Sequence, residues 1–152
     1  MTHLHKTLLV AALGGSLWLA AGARAGASSV AELVAQTKSP DETVRLEAIA
    51  GLGASAEAEK AVAALVELLQ DSSAPIRAHA AAALGKIGQP AQVAVPSLVS
   101  LVADPDQCVR QQAVGALAAI RPGPAVGIPL FVTLLADADP AVRMRVLHAL
   151  AG

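Results

Sequence analysis

Three aspartate–arginine pairs form the pattern in this sequence that could most readily do chemistry. In each pair the arginine follows the aspartate by six residues, and the three pairs recur at a constant interval. The pairs are Asp71 with Arg77, Asp104 with Arg110, and Asp137 with Arg143. A row of guanidinium groups could bind phosphate or another anion, whereas an arginine beside a carboxylate forms an ion pair that also satisfies carbonyls at helix ends. Because every arginine has an aspartate at a constant offset, we interpret the pairs as a structural ladder.

Histidine and cysteine are few and isolated in the chain that follows Ala27. His79 and His148 have no partner ligands at metal-binding spacing, so we expect both side chains to be solvated. Cys108 is the only cysteine, which excludes an intramolecular disulfide. We interpret it as a tolerated small residue, although a free thiol in an exported protein could pair between chains. The sequence therefore predicts no catalytic residue, no metal ligand and no cofactor.

The ladder residues belong to a longer repeat. A fourth arginine, Arg45, precedes Arg77 by nearly the same interval, and each arginine begins a series of apolar residues at four-residue spacing, which is one face of a helix. An aspartate or serine four residues before each arginine can cap the free N–H groups of that helix. These caps are Asp41, Ser73, Asp106 and Asp139. A fixed period of 20–50 residues predicts a solenoid.

Each repeat contains two predicted helices, which we call A and B; the A helix carries the arginine. The predicted A core is Val44, Ala48, Leu52; Ile76, Ala80, Leu84; Val109, Ala113, Leu117; and Val142, Val146, Leu150. The predicted B core is Val62, Leu65, Leu68, Leu69; Val95, Leu98, Leu101, Val102; and Ile128, Phe131, Leu134, Leu135. We expect Gly53, Gly85 and Gly88 to form left-handed caps after A helices. Pro96 and Pro129 are expected near the starts of B helices, where proline costs no hydrogen bond.

Half repeats are predicted at both ends. Ser29 and Glu32 form a capping-box pattern before a B-type helix, and the last A helix reaches Gly152 without a B partner. The predicted order is B, A, B, A, B, A, B, A: three full repeats between two halves. The apolar face of the last helix (Val142, Val146 and Leu150) is a candidate surface for self-association or for docking on a partner.

The N-terminal segment up to Ala27 has a different pattern. One lysine, Lys6, precedes an apolar run of about 15 residues, which is shorter than the roughly 20 needed to cross a bilayer. Two A-x-A sites follow, ending at Ala25 and Ala27. This pattern predicts a bacterial signal peptide over residues 1–27, cleaved after Ala25 or Ala27, and export of residues 28–152 to the periplasm or the medium. Retention of the segment as a membrane anchor is the alternative.

Charge and aromatic content restrict the classes of partner. Removing Lys6 and Arg24 from the 11 basic residues leaves nine against 12 acidic ones, a net charge of −3. Nucleic-acid binding needs a basic surface to neutralise phosphates, so the sequence argues against it. One Phe, one Trp and no Tyr provide no stacking platform for single-stranded nucleic acid.

The repeat motif resembles the HEAT-repeat family, in particular its short, alanine-rich subclass named after phycobilin lyases. The frame is D-x₅-R, then A-x₃-L-G, then a proline-led second helix, and it is matched by Asp71, Arg77, Ala80, Leu84, Gly85 and Pro96. The resemblance implies an all-α fold, a right-handed α-solenoid of antiparallel helix pairs. It also implies that the aspartates and arginines form a ladder between successive units, with Asp71–Arg77, Asp104–Arg110 and Asp137–Arg143 as the matching pairs. The subclass suggests, as an alternative function, a lyase or isomerase subunit acting on a protein-bound tetrapyrrole.

The outward side of the B helices is the predicted partner surface. In this family the B helices line the concave face, where partners commonly bind. The residues expected to point outward there are Ala64, Glu67, Gln70, Ser97, Ser100, Ala103, Leu130, Thr133 and Ala136, of which Ala64, Glu67, Gln70, Ser97, Ser100, Leu130 and Thr133 are the predicted partner-binding residues. The predicted function is an exported scaffold or adaptor without catalysis of its own, which binds a protein or peptide. A structural, self-associating repeat protein is the remaining alternative.

Overall fold

Eight α-helices and one 3₁₀ helix account for the ordered elements of residues 28–151, which are the residues that the computed structural model describes. They are α1 (Val30–Gln36), α2 (Glu42–Gly53), α3 (Ala58–Leu68), α4 (Ala74–Ile87), the 3₁₀ helix Gln89–Ala94, α5 (Val95–Leu101), α6 (Gln107–Ile120), α7 (Pro124–Leu134) and α8 (Pro140–Ala151). No helix in this part of the chain is both long and apolar enough to span a membrane. The predicted signal peptide lies outside the described residues.

The alternation of A and B helices is as predicted. The A helices are α2, α4, α6 and α8, and the B helices are α1, α3, the 3₁₀ helix with α5, and α7. The Ser29 hydroxyl and the Glu32 carboxylate form the predicted capping box at α1. Asp41 and Asp106 accept hydrogen bonds from the first turns of α2 and α6, and Asp139 accepts one from the Ala141 N–H. The prediction that Ser73 caps α4 is wrong, because its hydroxyl donates to the Glu42 carboxylate and makes no capping bond. Side-chain capping thus marks the start of α1, α2, α6 and α8.

The A helices pack closely on one another in sequence order. Contacts join α2 to α4, α4 to α6 and α6 to α8. A Cβ added to Gly53 would lie 3.0 Å from the Cβ of Ala83, and one added to Gly85 would lie 3.0 Å from the Cα of Ala116. Both glycines lie within their helices, so the prediction that they are left-handed caps is wrong; they permit the close approach of neighbouring A helices. Gly88 does cap α4 with a positive φ of 71°, but its ψ of −134° lies outside the left-handed helical region.

The B helices are less regular. Pro96 lies at the start of α5, as predicted, after a 3₁₀ turn with a kink at Ala91. Pro129 lies inside α7, because that helix begins five residues earlier, at Pro124. The prediction that Pro129 lies near a helix start is therefore wrong, and its missing N–H removes one hydrogen bond from the interior of α7.

The predicted core is buried in the first three A helices except at Val44, which is half-buried, and it is buried in α3 and α5. Three predicted core residues near the C-terminal end are exposed instead. Ile128, Leu135 and Leu150 are exposed by 57%, 36% and 50% of their surface. The hydrophobic core is thus continuous through the middle repeats and incomplete beside α7 and α8.

Candidate functional site

The ladder is best formed between the second and third A helices. The Arg77 guanidinium donates from Nε and Nη2 to the two carboxylate oxygens of Asp104, both at 2.9 Å. Its Nη1 donates to the backbone carbonyls of Asp71 and Ser72 at 2.9 and 3.1 Å. One arginine therefore holds its own preceding turn and the carboxylate of the next repeat.

This geometry corrects the predicted pairing. The carboxylate that Arg77 binds belongs to Asp104, in the next repeat, and Asp71 supplies only a carbonyl. Arg110 and Arg143 likewise bind the carbonyls of Asp104 and Asp137 within their own repeats. The aspartate six residues before each arginine does not bind that arginine through its carboxylate. The carboxylates of Asp71, Asp104 and Asp137 each accept a hydrogen bond from the backbone N–H group two residues later.

The other two junctions use weaker or different contacts. At the first junction Arg45 Nε is 3.8 Å from the Asp71 carboxylate and has no hydrogen-bond partner among the described residues. At the third junction the amides of Gln107 and Gln111 donate to Asp139 Oδ2 at 3.0 and 2.9 Å. Sequence reasoning missed both glutamines, although Gln111 stands where the first two repeats have Leu46 and Ala78. A polar residue at an otherwise apolar repeat position was the available signal.

The carboxylates at the junctions have altered acidities. Burial raises the pKa of Asp104, but hydrogen bonds from Arg77 and from the Asp106 N–H outweigh it, so that this pKa lies below the usual value. Hydrogen bonds from Gln111 and from the Ala141 N–H lower the pKa of Asp139. Both side chains are thus held as anions by neighbouring donors, and the guanidinium of Arg77 is committed to a carboxylate of the protein. This supports a structural role for the Arg77–Asp104 pair over an anion-binding one.

The predicted partner surface on the B helices consists of three rows, each with one residue per repeat. The first row (Glu67, Ser100 and Thr133) is exposed throughout, as is the second (Gln70, Ala103 and Ala136). The third row is recessed: Ser97 and Leu130 are half-buried, and Ala64 is only 7% exposed. The prediction that Ala64 points outward is wrong, because this methyl group is buried in the hydrophobic core. We call the first two rows with Ser97 and Leu130 the B-helix face.

Hydroxyl groups on the B-helix face bond to their own helices. Thr133 Oγ1 donates to the Pro129 carbonyl at 2.9 Å, and Ser100 Oγ donates to the Pro96 carbonyl at 3.3 Å. Each hydroxyl proton is therefore used internally, whereas the oxygen lone pairs still point to solvent and can accept. The face presents acceptors (the carboxylate of Glu67 and two hydroxyl oxygens) and the amide of Gln70, which can donate or accept, so it can bind the N–H groups of a partner.

Histidine and cysteine remain apart. His79 and His148 are exposed, and the Nδ1 of His79 lies 2.8 Å from the Pro75 carbonyl of its own helix. Cys108 is exposed in the first turn of α6. Within residues 28–151, no three side chains of His, Cys, Asp or Glu are grouped so that they could hold a metal ion.

The predicted apolar face of the last helix is placed differently. Val142 and Val146 are fully buried, so they cannot contact a partner, whereas Leu150 is half exposed. Leu147 and Met144 are also about half exposed and form the outward side of α8. A cleft of about 260 Å³ opens beside this helix, between the end of α6 and the start of α7, and includes Ile128 and Leu150 in its lining.

The sequence matches the family described as HEAT repeats over two overlapping segments, residues 30–118 and 95–152. The chain belongs to the HEAT-repeat family. With the alternating A and B helices, this match confirms the predicted all-α solenoid fold. The resemblance to the phycobilin-lyase subclass stays a prediction. A comparison with curated proteins finds no match.

Solved repeat proteins share this fold. An engineered protein is 30% identical with a TM-score of 0.64; the match covers 80% of this chain and 61% of that protein. A second engineered protein is 28% identical with a TM-score of 0.60; the match covers 80% of this chain and 36% of that protein. A designed armadillo repeat protein in complex with the peptide (KR)4 is 25% identical with a TM-score of 0.63, covering 89% of this chain and 66% of that one.

Proposed function

We propose that this HEAT-repeat protein is an exported, non-catalytic adaptor that binds an extended peptide or protein segment along the B-helix face. The observation that carries the proposal is the register of Glu67, Ser100 and Thr133, which occupy the same repeat position and are exposed on three successive B helices. Support also comes from the similar armadillo repeat protein, which is in complex with a peptide.

An extended peptide rises about 3.3 Å per residue. A segment that crosses B helices at the usual spacing of packed helices, about 8–10 Å, would meet a new row residue about every third position. Small side chains on the face, such as Ser100 and Ala103, allow close approach of a peptide backbone. Peptide N–H groups would donate to the Glu67 carboxylate and the hydroxyl oxygens.

A displayed library of random 12-residue peptides tests the proposal. The protein should enrich peptides that bind to wild type and that lose most of their affinity when Glu67 is reversed and Ser100 is enlarged (Glu67→Lys with Ser100→Arg). The matched control is Glu47→Lys with Ala50→Arg, which makes equal changes on an exposed part of an A helix. Fluorescence anisotropy of each peptide against the three proteins gives the comparison.

Three results would contradict the proposal. The first is failure to enrich any peptide after repeated rounds of selection. The second is equal loss of affinity in the B-helix variant and the A-helix control, which would show that charge and bulk act wherever they are placed. Retained binding in both variants would move the peptide site to another surface.

Export is the second part of the proposal, and the sequence of residues 1–27 supports it. Mass spectrometry of the full chain produced in a bacterium should find a product that begins after Ala25 or Ala27 in the periplasmic fraction or the medium. A charge in the apolar run, such as Leu13→Arg, should leave the intact chain inside the cell, because a charged residue disrupts the apolar region that the export machinery recognises. Intact wild-type chain inside the cell would refute export.

A further inference from the structure

The B-helix side of the molecule changes in charge along the array. Residues 57–70, which include α3, carry three glutamates and one lysine. Residues 88–103 and 122–136, which include α5 and α7, contain no Asp, Glu, Lys, Arg or His. Eight of the 12 acidic residues of the chain, and only three basic ones, lie in residues 28–71. The B-helix side is therefore anionic at α3 and uncharged over the next two repeats.

Glu67 is the charged residue of the B-helix face itself. Lys60, on the same helix, already donates to the Glu57 carboxylate at 2.6 Å, and Glu67 has no ion-pair partner among the described residues. An uncharged segment lying over Glu67 would remove water from the carboxylate without supplying an opposite charge, and an acidic segment would repel it. The face thus favours a lysine or arginine side chain at this place.

Two valines extend the B-helix face with an apolar row. Val93 and Val126 occupy the repeat position of Lys60, and they are 72% and 47% exposed. In α3 and α7 this position comes seven residues, about two helical turns, before the first row, so it lies on the same side of the helix. Pro96 and Pro129 are exposed between this row and the first one. Because Val93 belongs to a middle repeat, its exposure is a property of the face.

We propose that the segment bound on the B-helix face is a peptide with a lysine or arginine near one end and uncharged, partly apolar residues along the rest. This inference rests on the proposed function and adds the chemical class of the ligand. The basic side chain pairs with Glu67, and apolar side chains cover Val93 and Val126. Since a segment reaches the next B helix about every third position, the apolar side chains lie within about six positions of the basic one.

Displayed libraries with a fixed charge test the proposal on the intact protein. Three libraries of 12-residue peptides have lysine, glutamine or glutamate fixed near one end, and three more have it near the other end. The remaining positions are drawn from Ala, Val, Leu, Ser, Thr and Pro. Wild type should enrich the lysine peptides. Replacing the fixed lysine by glutamine should weaken binding about two- to fivefold, as expected for one exposed ion pair, and 1 M NaCl should largely remove that difference.

Variants of the protein test each half of the proposal. Glu67→Lys should prefer the glutamate libraries, whereas Glu47→Lys, on an exposed part of an A helix, should keep the wild-type preference. Val93→Thr with Val126→Thr should weaken binding about fivefold without changing the charge preference, because apolar contact is lost and side-chain shape is kept. The matched control is Ile128→Thr, which should retain affinity, since Ile128 is 57% exposed but lies about 160° around α7 from Val126. Circular dichroism melts show whether each variant remains folded.

The outcomes separate this inference from the proposed function. Equal enrichment of the lysine, glutamine and glutamate libraries, or a lysine preference that Glu67→Lys does not change, would overturn the inference while peptide binding stands. Equal effects of the paired valine changes and of Ile128→Thr would also overturn it, by removing the valine row from the site. Failure of every library, including the unrestricted one, would overturn the proposed function as well.

Discussion

Replacing Arg77 by methionine is expected to lower the free energy of unfolding by about 2 kcal/mol at neutral pH. The change keeps the length of the apolar stem but leaves the Asp104 carboxylate, whose side chain is only 6% exposed, without its guanidinium. Breaking a fully enclosed ion pair costs about 3–5 kcal/mol, and the lower value expected here reflects the 14% exposure of Arg77, which lets water reach the carboxylate. In a domain of this size the melting temperature should fall by about 8 °C.

Arg45→Met is the matched control. Arg45 donates to the carbonyls of Ser39 and Pro40 as Arg77 does to those of Asp71 and Ser72, but its Nε lies 3.8 Å from the Asp71 carboxylate. Its loss should cost about 1 kcal/mol less than the loss of Arg77, because the same carbonyl bonds are removed without a close ion pair. Urea unfolding followed by circular dichroism measures both values.

The dependence on pH gives the stricter test. In the wild type the pKa of Asp104 is lowered on folding, so its contribution is present above the unfolded pKa of about 3.9 and is lost as the pH falls through the folded value. Without Arg77, burial should raise the folded pKa above about 3.9, so that this contribution changes sign and stability recovers as the pH falls. The difference between wild type and Arg77→Met should therefore shrink from pH 7 to pH 4. A constant difference, or no gain at pH 7 when Asp104→Asn is added to Arg77→Met, would refute the assigned pairing.

Two further predictions concern packing. Gly115→Ala should raise the free energy of unfolding by about 0.5–1 kcal/mol through helix propensity, because the new Cβ meets only the flexible end of a side chain. Gly85→Ala should give no gain or a loss, because its Cβ meets the Ala116 backbone. Equal gains in urea unfolding would contradict close A-helix packing. Ala64→Glu should lower the free energy of unfolding by about 2–4 kcal/mol, because it buries a charge. Glu67→Lys, three residues later on the exposed side, should change this free energy by no more than about 0.5 kcal/mol. Equal effects in the same assay would contradict the burial of Ala64.

The order of the helices could be predicted from the sequence because it is encoded locally. A cap residue, an arginine four positions later and apolar residues at helical spacing recur in every A helix, and each feature acts within one or two turns. The same signals do not specify where a B helix starts when several prolines are available. Pro124 and Pro129 both fit the first turn of a helix, and the tertiary structure selected Pro124.

Contacts between repeats were harder to predict, because they depend on how one helix lies against the next. The aspartate six residues before each arginine is its neighbour in sequence, but the guanidinium of Arg77 reaches the corresponding aspartate of the following repeat. The sequence was ambiguous in the same way at Gly53 and Gly85. Their position suggested helix caps, whereas in the structure they allow neighbouring A helices to pack closely. The pattern within one repeat cannot distinguish a contact inside that repeat from a contact to the next one, because both require the same residue types at the same spacing.

The misplaced core residues point to the same physical cause. Ile128, Leu135 and Leu150 follow the apolar pattern of their repeats as well as their buried counterparts do, yet they are exposed, because burial in a solenoid requires the neighbouring layer as well as the right residue. An apolar residue at a core position stays exposed where no neighbouring helix covers it. The sequence pattern therefore predicts which residues could form a core, and the packing of neighbouring helices decides which of them do.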